Sequence, residues 1–337
     1  MIPGMRNLTK GSVLTGKIIK SLSGFYYVVP TGNCRTKEGS DSLRQESSES
    51  GFCGTEQLIF TCRAKGVFRS LHVKPLVGDN CEFEITDLTC SPPEGSVVRI
   101  LPRKNELIRP MVANVDQALL LFAISHPMPS CNMLDRFLII MKQKKLPAVI
   151  CFNKTDLAFP EQIRELSCTY ENCGCRVFFA SNRDGNGWPE LDQLLLGKTT
   201  VITGPSGAGK STLINRLCPD AAMETGELSR KIARGKNTTR HVEILQAPGQ
   251  TFLIDTPGFT SLYLEDLEAE DLKDHYEEFG DYAADCRFHG CNHIAEPDCG
   301  IKEAVRVGEI SSIRYRNYCE IFEDLKSKRP DYTKKKY

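Results

Sequence analysis

The chain has 337 residues, 40% of them hydrophobic and 26% charged, which is ordinary for a globular protein of two or three domains. Its 43 acidic residues balance its 43 lysines and arginines, so any affinity for nucleic acid must come from local basic patches. The sequence has no apolar run of about 18 residues and opens without the apolar core of a secretion signal, so we expect a cytoplasmic protein with no membrane span.

Residues 1–104 are predicted to form a small β-barrel, an OB-fold. A strand–turn–strand pattern occupies residues 11–30, and LIFTCRAKG, GDNCEFEI and GSVVRILP supply further short strands. The Ser-, Gly- and Glu-rich segment 31–56 between them is predicted to be a mobile insertion. A cluster of basic residues fits either a solvated face or a surface for nucleic acid. It consists of Arg63, Lys65, Arg69 and Lys74.

Residues 105–264 alternate apolar strands with amphipathic helices, a pattern typical of an α/β domain with a largely parallel sheet. The segment VDQALLLFAI is almost continuously apolar, as expected for a strand that is buried on both faces. In such domains the loops at the carboxyl ends of the strands form the ligand site. The motifs that carry chemistry are therefore expected in those loops.

The segment GPSGAGKST lies between a predicted strand and a predicted helix and contains the phosphate-binding pattern G-x-x-x-x-G-K-[ST]. Its glycines let backbone N–H groups turn toward phosphate oxygens, and the helix N-terminus adds the positive end of its dipole. Lys210 is predicted to reach the β- and γ-phosphates, and the Ser211 hydroxyl to bind Mg²⁺. The predicted nucleotide-binding residues here are Gly204, Pro205, Ser206, Gly207, Ala208, Gly209, Lys210, Ser211 and Thr212.

The segment NKTD, at the end of a predicted buried strand, indicates guanine as the base. Asp156 can accept hydrogen bonds from the ring N–H and the exocyclic amine of guanine, whereas adenine presents the opposite pattern. Asn153 can bind the other edge of the base, and the Lys154 stem can lie over the ring. The segment FFASN is predicted to back NKTD against the guanine oxygen. The predicted base-binding residues are Asn153, Lys154, Thr155, Asp156, Ala180 and Ser181.

Two further segments are predicted to sense the γ-phosphate. In DTPG, which follows a predicted strand, Asp255 would hold Mg²⁺ and the Gly258 N–H would contact the γ-phosphate. In GKNTTR, one of Thr238 and Thr239 would complete the coordination of Mg²⁺. These residues complete a magnesium-dependent GTP site.

A cysteine cluster follows, with the pattern C-x4-C-x-H-x5-C formed by Cys286, Cys291, His293 and Cys299. Three thiolates and one imidazole make a closed tetrahedral set, which is typical of structural zinc. His289 is an alternative to His293 as the fourth ligand. Residues 265–337 are therefore predicted to form a helical zinc-binding module that ends in the basic tail KSKRPDYTKKKY, which is either solubilising or an electrostatic contact for RNA.

The nucleotide segments stand in the order NKTD, AS, GPSGAGKS, NTT and DTPG, a cyclic rearrangement of the usual order in GTP-binding proteins. Circular permutation is tolerated because domain termini often lie close together. With a barrel before it and a cysteine cluster after it, the permuted domain resembles the RsgA family of circularly permuted GTPases. The resemblance covers nearly the whole chain apart from residues 31–56.

The resemblance implies hydrolysis of GTP to GDP and phosphate during late maturation of the small (30S) ribosomal subunit, with stimulation by the subunit. It implies that the barrel and the zinc module contact rRNA. It also implies one structural Zn²⁺ held by His293 rather than His289, and Mg²⁺ bound with GTP. The sequence shows no sign of an oligomer interface, so we expect a monomer.

The sequence departs from the common pattern at the position of the attacking water. Many GTPases carry Gln directly after DxxG, and this chain has Phe259 there. The resemblance assigns the role to a histidine in the switch G-x-H-T-T, where this chain has Asn237. Three alternatives therefore stay open: a GTP-gated binding switch with negligible hydrolysis, a GTPase acting on another RNA, and an ATP-using kinase or transferase. NKTD argues against the last.

We predict that Asn237→His raises the rate of GTP hydrolysis by the isolated protein roughly tenfold or more, because a histidine can take the proton of the attacking water and asparagine cannot. Steady-state phosphate release measures this rate. Asn237→Gln, which keeps an amide, is the matched control and is expected to stay near the parent rate. An unchanged rate in Asn237→His would remove residue 237 from water positioning.

Overall fold

In the computed structural model, the described residues are 8–35, 58–66, 68, 73–108, 110–181, 183–219, 242–255, 264 and 267–327. They belong to two compact units. The first draws on Met1–Asp116, Asp192–Ile202 and Ser211–Phe259, and the second on Gln117–Leu191, Thr203–Lys210 and Thr260–Tyr337. The basic tail from 328 and most of the predicted insertion lie outside the described residues. So do Arg69, Asn237, Thr238, Thr239, Gly258 and Phe259.

In the first unit, five described strands close into the barrel that the sequence predicts. They are β1 (Val13–Leu22), β2 (Phe25–Arg35), β3 (Phe60–Ala64), β4 (Asn80–Asp87) and β5 (Glu94–Ile100). Their order is β1-β2-β3-β5-β4, with β1 antiparallel to β4 and β3 parallel to β5, which is an OB-like barrel. The rings of Phe60 and Phe83 lie 5.0 Å apart in its core. A short ladder follows, formed by β6 (Glu106–Leu107) and β7 (Val112–Ala113).

After the ladder, strands alternate with helices as predicted. The elements are β8 (Gln117–Ala123), α1 (Cys131–Gln143), β9 (Ala148–Asn153), α2 (Pro160–Tyr170), β10 (Arg176–Phe179), α3 (Trp188–Leu195), β11 (Thr199–Thr203), α4 (Lys210–Leu217), β12 (Ile244–Ala247) and β13 (Thr251–Asp255). In the second unit, β8, β9 and β10 are parallel, and β9 lies in the middle. In the first unit, β11 is parallel to β13, and β12 pairs antiparallel with β13.

The apolar sequence of β8 matches the burial of this strand in the second unit. All seven residues of Gln117–Ala123 are buried, which confirms that this strand is covered on both faces. Helix α1 then begins at a serine cap, because the Ser130 side chain accepts a hydrogen bond from the Met133 backbone N–H. None of the helices in the described ranges is long and apolar enough to cross a membrane.

The predicted helical module of residues 265–337 begins with 3-10 helix rather than α-helix. Its described residues form three short 3-10 helices, Ala269–His275, Glu277–Phe279 and Ala283–Asp285, before α5 (Gly300–Val307) and α6 (Ser312–Ser327). Carboxylates crowd the segment, and like charges three or four residues apart destabilise a regular helix. The α-helical part of the predicted module consists of α5 and α6.

A buried ionic cluster joins α1, α6 and the 3-10 segment in the second unit. The Arg314 guanidinium donates to Asp135 at 2.5 Å and to both carboxylate oxygens of Glu278 at 2.7 and 3.0 Å. The Asn317 amide donates to the second oxygen of Asp135 at 2.7 Å. Burial opposes the charge on Arg314, but the attraction of Asp135 and Glu278 raises its pKa well above the ordinary value. The cation therefore stays charged and paired in the interior.

We predict that Arg314→Met lowers the free energy of unfolding by about 3–5 kcal/mol, because it leaves two buried carboxylates without their cation. Urea unfolding followed by circular dichroism measures the shift. The matched control is Arg306→Met, which removes an exposed arginine paired with Glu303 on the surface of α5. The control is expected to unfold at the parent midpoint. If the two variants unfold together, the cluster does not stabilise the fold.

Candidate functional site

The predicted phosphate loop follows β11 and can only be built with glycine at its first position. Gly204 has a φ of +143°, and a Cβ placed on it would lie 1.9 Å from the Leu121 carbonyl oxygen of β8. Gly207 and Gly209 also have positive φ values, of +81° and +99°. Successive residues in such conformations let backbone N–H groups converge on an anion. The loop therefore has the backbone of a phosphate nest.

The side chain of Lys210 points back to the glycine loop. Lys210 Nζ donates to the carbonyl oxygens of Gly204 and Pro205, both at 2.8 Å. Helix α4 begins at this residue, so the positive end of its dipole faces the same place. Ser211, half-buried, and Thr212, exposed, follow in the first turn. The ammonium is thus held where phosphate oxygens would compete with the two carbonyls for its protons.

The base-reading segment is attached to this loop. Asn153, the last residue of β9, is fully buried, and its Nδ2 donates to the Ala208 carbonyl oxygen at 3.0 Å. Its Oδ1 accepts from the Lys154 backbone N–H at 2.8 Å. Lys154 adopts a left-handed conformation with a φ of +65°, and its Nζ donates to the His126 carbonyl oxygen at 2.7 Å. NKTD and residues 204–210 therefore lie side by side within the second unit.

The carboxylate that is predicted to bind guanine, Asp156, is oriented by the loop after β10. The Ser181 hydroxyl donates to Asp156 Oδ1 at 2.8 Å, and the Thr155 N–H donates to the Ala180 carbonyl oxygen at 3.1 Å. Ala180 and Ser181 are both fully buried, while Asp156 is exposed. An exposed carboxylate on a buried support is suited to binding a ligand edge. The structure thus places AS directly behind NKTD.

The His126 contact could not be found from sequence reasoning. Its acceptor is a backbone carbonyl, which every residue type offers, so no side-chain pattern marks it. Pro127, the next residue, has its Cδ 3.3 Å from the position of a Cβ on Gly207. The loop after β8 therefore supports both the lysine of NKTD and the glycine loop.

The first unit supplies the predicted magnesium-binding aspartate. Asp255 ends β13, and in the parallel pairing of β13 with β11 it lies opposite Ile202. Both residues belong to the first unit, so Asp255 is placed there next to the end of β11. The other predicted switch residues lie outside the described part of the chain.

The four predicted metal ligands come together in the second unit. Their ligand atoms all lie within 4.8 Å of one another: Cys286 Sγ, Cys291 Sγ, His293 Nδ1 and Cys299 Sγ. The distance from Cys286 Sγ to Cys299 Sγ is 3.8 Å, and those from His293 Nδ1 to these two sulfurs are 3.5 and 3.4 Å. Tetrahedral zinc requires edges of about 3.8 Å between sulfurs and about 3.6 Å between sulfur and nitrogen. The set therefore fits this ion, and His289 is exposed outside it.

The protonation chemistry of the cluster suits a cation. Burial, followed by the charge of Lys273, lowers the pKa of His293, so its imidazole is neutral and can offer a lone pair at pH 7. Burial raises the pKa of the Cys291 thiol to about 12, so a cation must displace its proton. The Tyr315 and Tyr318 hydroxyls donate to the carbonyl oxygens of His293 and Asn292, both at 2.7 Å. Helix α6 thereby holds the ligand loop in shape.

Comparisons with known proteins agree with this arrangement. A sequence model described as RsgA GTPase matches residues 100–265, and one described as RsgA N-terminal domain matches residues 47–90. Proteins called small ribosomal subunit biogenesis GTPase RsgA are similar in Agathobacter rectalis and Alkaliphilus metalliredigens. The first is 47% identical over 94% of this chain and 99% of its own length. The second is 41% identical over 93% of this chain and 98% of its own length.

Two solved structures are similar along almost the whole chain. They are YjeQ from Thermotoga maritima and YloQ, described as a circularly permuted GTPase. Each is 32% identical with a TM-score of 0.70, and the matches cover 94% and 98% of this chain and 100% of each solved chain. Similarity of this extent, in sequence and in structure, establishes family as well as fold. The chain belongs to the RsgA family of circularly permuted GTPases.

Proposed function

We propose that this protein hydrolyses GTP to GDP and phosphate and acts in late maturation of the small (30S) ribosomal subunit, which stimulates it. One observation carries the nucleotide part of the proposal. The 3.0 Å hydrogen bond from Asn153 Nδ2 to the Ala208 carbonyl oxygen joins the base-reading segment to the phosphate loop. A guanine base and its phosphates can therefore be held by one rigid frame. Membership of the family supports the ribosomal part.

In this proposal Asp156 selects guanine. Its carboxylate accepts from the ring N–H and the exocyclic amine, and the 2.8 Å hydrogen bond from Ser181 fixes the orientation in which it does so. The stem of Lys154 lies over the base, held by the bond of its Nζ to the His126 carbonyl oxygen. Adenine presents an acceptor, N1, where guanine presents its ring N–H to Asp156, so ATP is a poor substrate.

The phosphates are bound by the glycine loop and Lys210. Mg²⁺ would be held by the Ser211 hydroxyl, the Asp255 carboxylate and one of Thr238 and Thr239, and would supply positive charge near the β- and γ-phosphates. The Gly258 N–H contacts the γ-phosphate, and Asn237 positions the attacking water without taking its proton. Hydrolysis rests on positioning and charge stabilisation, so intrinsic turnover is slow.

The barrel and the metal module form the RNA-binding parts of the molecule in this proposal. The Arg63 guanidinium lies 4.8 Å from the Phe25 ring centroid, and Lys20 Nζ lies 5.9 Å from that of Tyr27. Cationic groups paired with aromatic rings on an OB-like barrel favour rRNA over a merely solvated face. The Cys286, Cys291, His293 and Cys299 cluster holds one structural Zn²⁺. The protein acts in the cytoplasm as a monomer.

A second candidate function is a GTP-gated switch that binds the subunit with negligible hydrolysis. The sequence favours it. Phe259 and Asn237 occupy the two positions where other GTPases carry the side chain that orients the attacking water. Neither side chain can serve as a general base. Binding and release would then follow exchange of the nucleotide rather than its hydrolysis.

Steady-state hydrolysis by zinc-loaded protein, alone and with purified small subunits, tests the proposal. ATP serves as the control nucleotide. We expect slow turnover alone and a large stimulation by the subunit that is confined to GTP. Tight GTP binding without turnover under both conditions would replace the enzyme by the switch. Equal turnover of ATP would remove guanine selection.

We predict that Cys291→Ser abolishes stoichiometric zinc binding, whereas Cys90→Ser, an exposed thiol outside the cluster, leaves one zinc per chain. Since the thiols must lose protons to bind the cation, acidification returns those protons and releases the metal from the parent protein. Metal content after dialysis at stepwise lower pH, determined by mass spectrometry, measures both effects. Undiminished zinc in Cys291→Ser would place the metal elsewhere.

A further inference from the structure

The only tryptophan of the chain stands behind the base-reading loop. Trp188 begins α3 with 3% of its surface exposed, and its indole Nε1 donates to the Ser181 carbonyl oxygen at 2.8 Å. The bond is buried and is one of two that the Ser181 carbonyl oxygen accepts, so its loss would remove the shorter of the two. An apolar residue of similar size would fill the same space but could not donate. The indole N–H therefore has a role beyond packing.

The backbone around this bond is closed tightly. The Ser181 N–H donates to the Asn186 carbonyl oxygen at 3.0 Å, and the Gly185 N–H donates back to the Ser181 carbonyl oxygen at 3.1 Å. Gly187 has a φ of +76°, and a Cβ on it would lie 2.0 Å from the Phe179 carbonyl oxygen. Only glycine permits this approach. The backbone just before Trp188 therefore packs directly against the end of β10.

The hydroxyl of Ser181 is held by several hydrogen bonds. Its oxygen accepts from the backbone N–H groups of Arg183 at 3.2 Å and Asp184 at 3.4 Å. A serine hydroxyl has two acceptor sites and one donor. With both acceptor sites used, the hydrogen is left to donate to a carboxylate, and Asp156 Oδ1 lies 2.8 Å away. The orientation of the carboxylate therefore depends on how firmly Ser181 is held.

We propose that Trp188 is a positioning residue for guanine selection, acting through Ser181 on the carboxylate of Asp156. The inference rests on the proposed function, because it assigns Asp156 to the exocyclic amine of guanine. Hydrogen bonds to a charged group depend strongly on direction, so a carboxylate that is free to turn loses selectivity before it loses affinity. A role in packing alone would weaken all nucleotides in parallel.

The test compares GDP with inosine diphosphate (IDP), which lacks the exocyclic amine. Dissociation constants of both, and of ADP, are measured by isothermal titration calorimetry for the parent and for Trp188→Phe. We expect the IDP-to-GDP ratio of dissociation constants to fall about tenfold in Trp188→Phe, as for loss of one hydrogen bond to a charged group. Tyr170→Phe is the matched control, because it removes a buried hydroxyl that donates to the Cys131 carbonyl oxygen, and its ratio is expected to equal that of the parent.

A double-mutant cycle identifies the route. In a Ser181→Ala background the hydroxyl that reaches Asp156 is missing, so Trp188→Phe is expected to change the ratio less than about twofold there. If the ratio falls equally in both backgrounds, Trp188 does not act through Ser181. If Trp188→Phe weakens GDP and IDP in parallel, the residue only packs, and the inference is overturned.

An isosteric replacement covers the case in which Trp188→Phe fails to fold. Because the chain has one tryptophan, expression with 3-benzothienylalanine in place of tryptophan exchanges only this N–H for sulfur and creates no cavity. The same fall in the ratio is expected, and an unchanged ratio would overturn the inference. A parent protein that binds IDP or ADP as tightly as GDP would instead overturn the proposed function itself.

Discussion

The nucleotide site depends on one hydrogen bond between two buried groups, Asn153 Nδ2 and the Ala208 carbonyl oxygen. The partners lie 55 residues apart in the chain, yet the bond sets the base-reading segment against the phosphate loop. The bond depends only on where its two partners lie in space, so it can form whichever segment comes first in the chain. The reversed order of NKTD and GPSGAGKS therefore changes the connections and leaves the chemistry of the site as it is.

Helix α6 connects this site to the metal cluster within the second unit. On one side Arg314 and Asn317 hold Asp135 of α1, and on the other Tyr315 and Tyr318 hold the carbonyls of the ligand loop. Helix α1 in turn leads into β9, which ends in the guanine-reading segment. A metal bound by the cluster would therefore stabilise the loop that α6 holds, and α6 also contacts α1.

Sequence patterns predicted those parts of the structure that depend on one continuous stretch of the chain. The apolar run of β8, the strand–loop–helix around Gly204 and the spacing of the cysteine cluster each lie in one stretch of chain, and the structure forms them there. The pairing of Arg314 with Asp135 joins residues 179 apart, and charges in a sequence carry no record of their partners. The sequence predicts a helical module after residue 265, but its composition does not distinguish α-helix from the 3-10 turns with which the module begins.

The single tryptophan can serve as an intrinsic fluorescence probe of the proposed guanine site. All indole emission of this protein originates from Trp188, a buried ring that is one hydrogen bond from the loop behind the base. The wavelength of that emission reports the polarity around one known point, with no background from elsewhere in the chain. A nucleotide that carries an acceptor dye would quench it by resonance energy transfer on arrival. Emission from Trp188 can therefore report nucleotide binding without a fluorescent label attached to the protein.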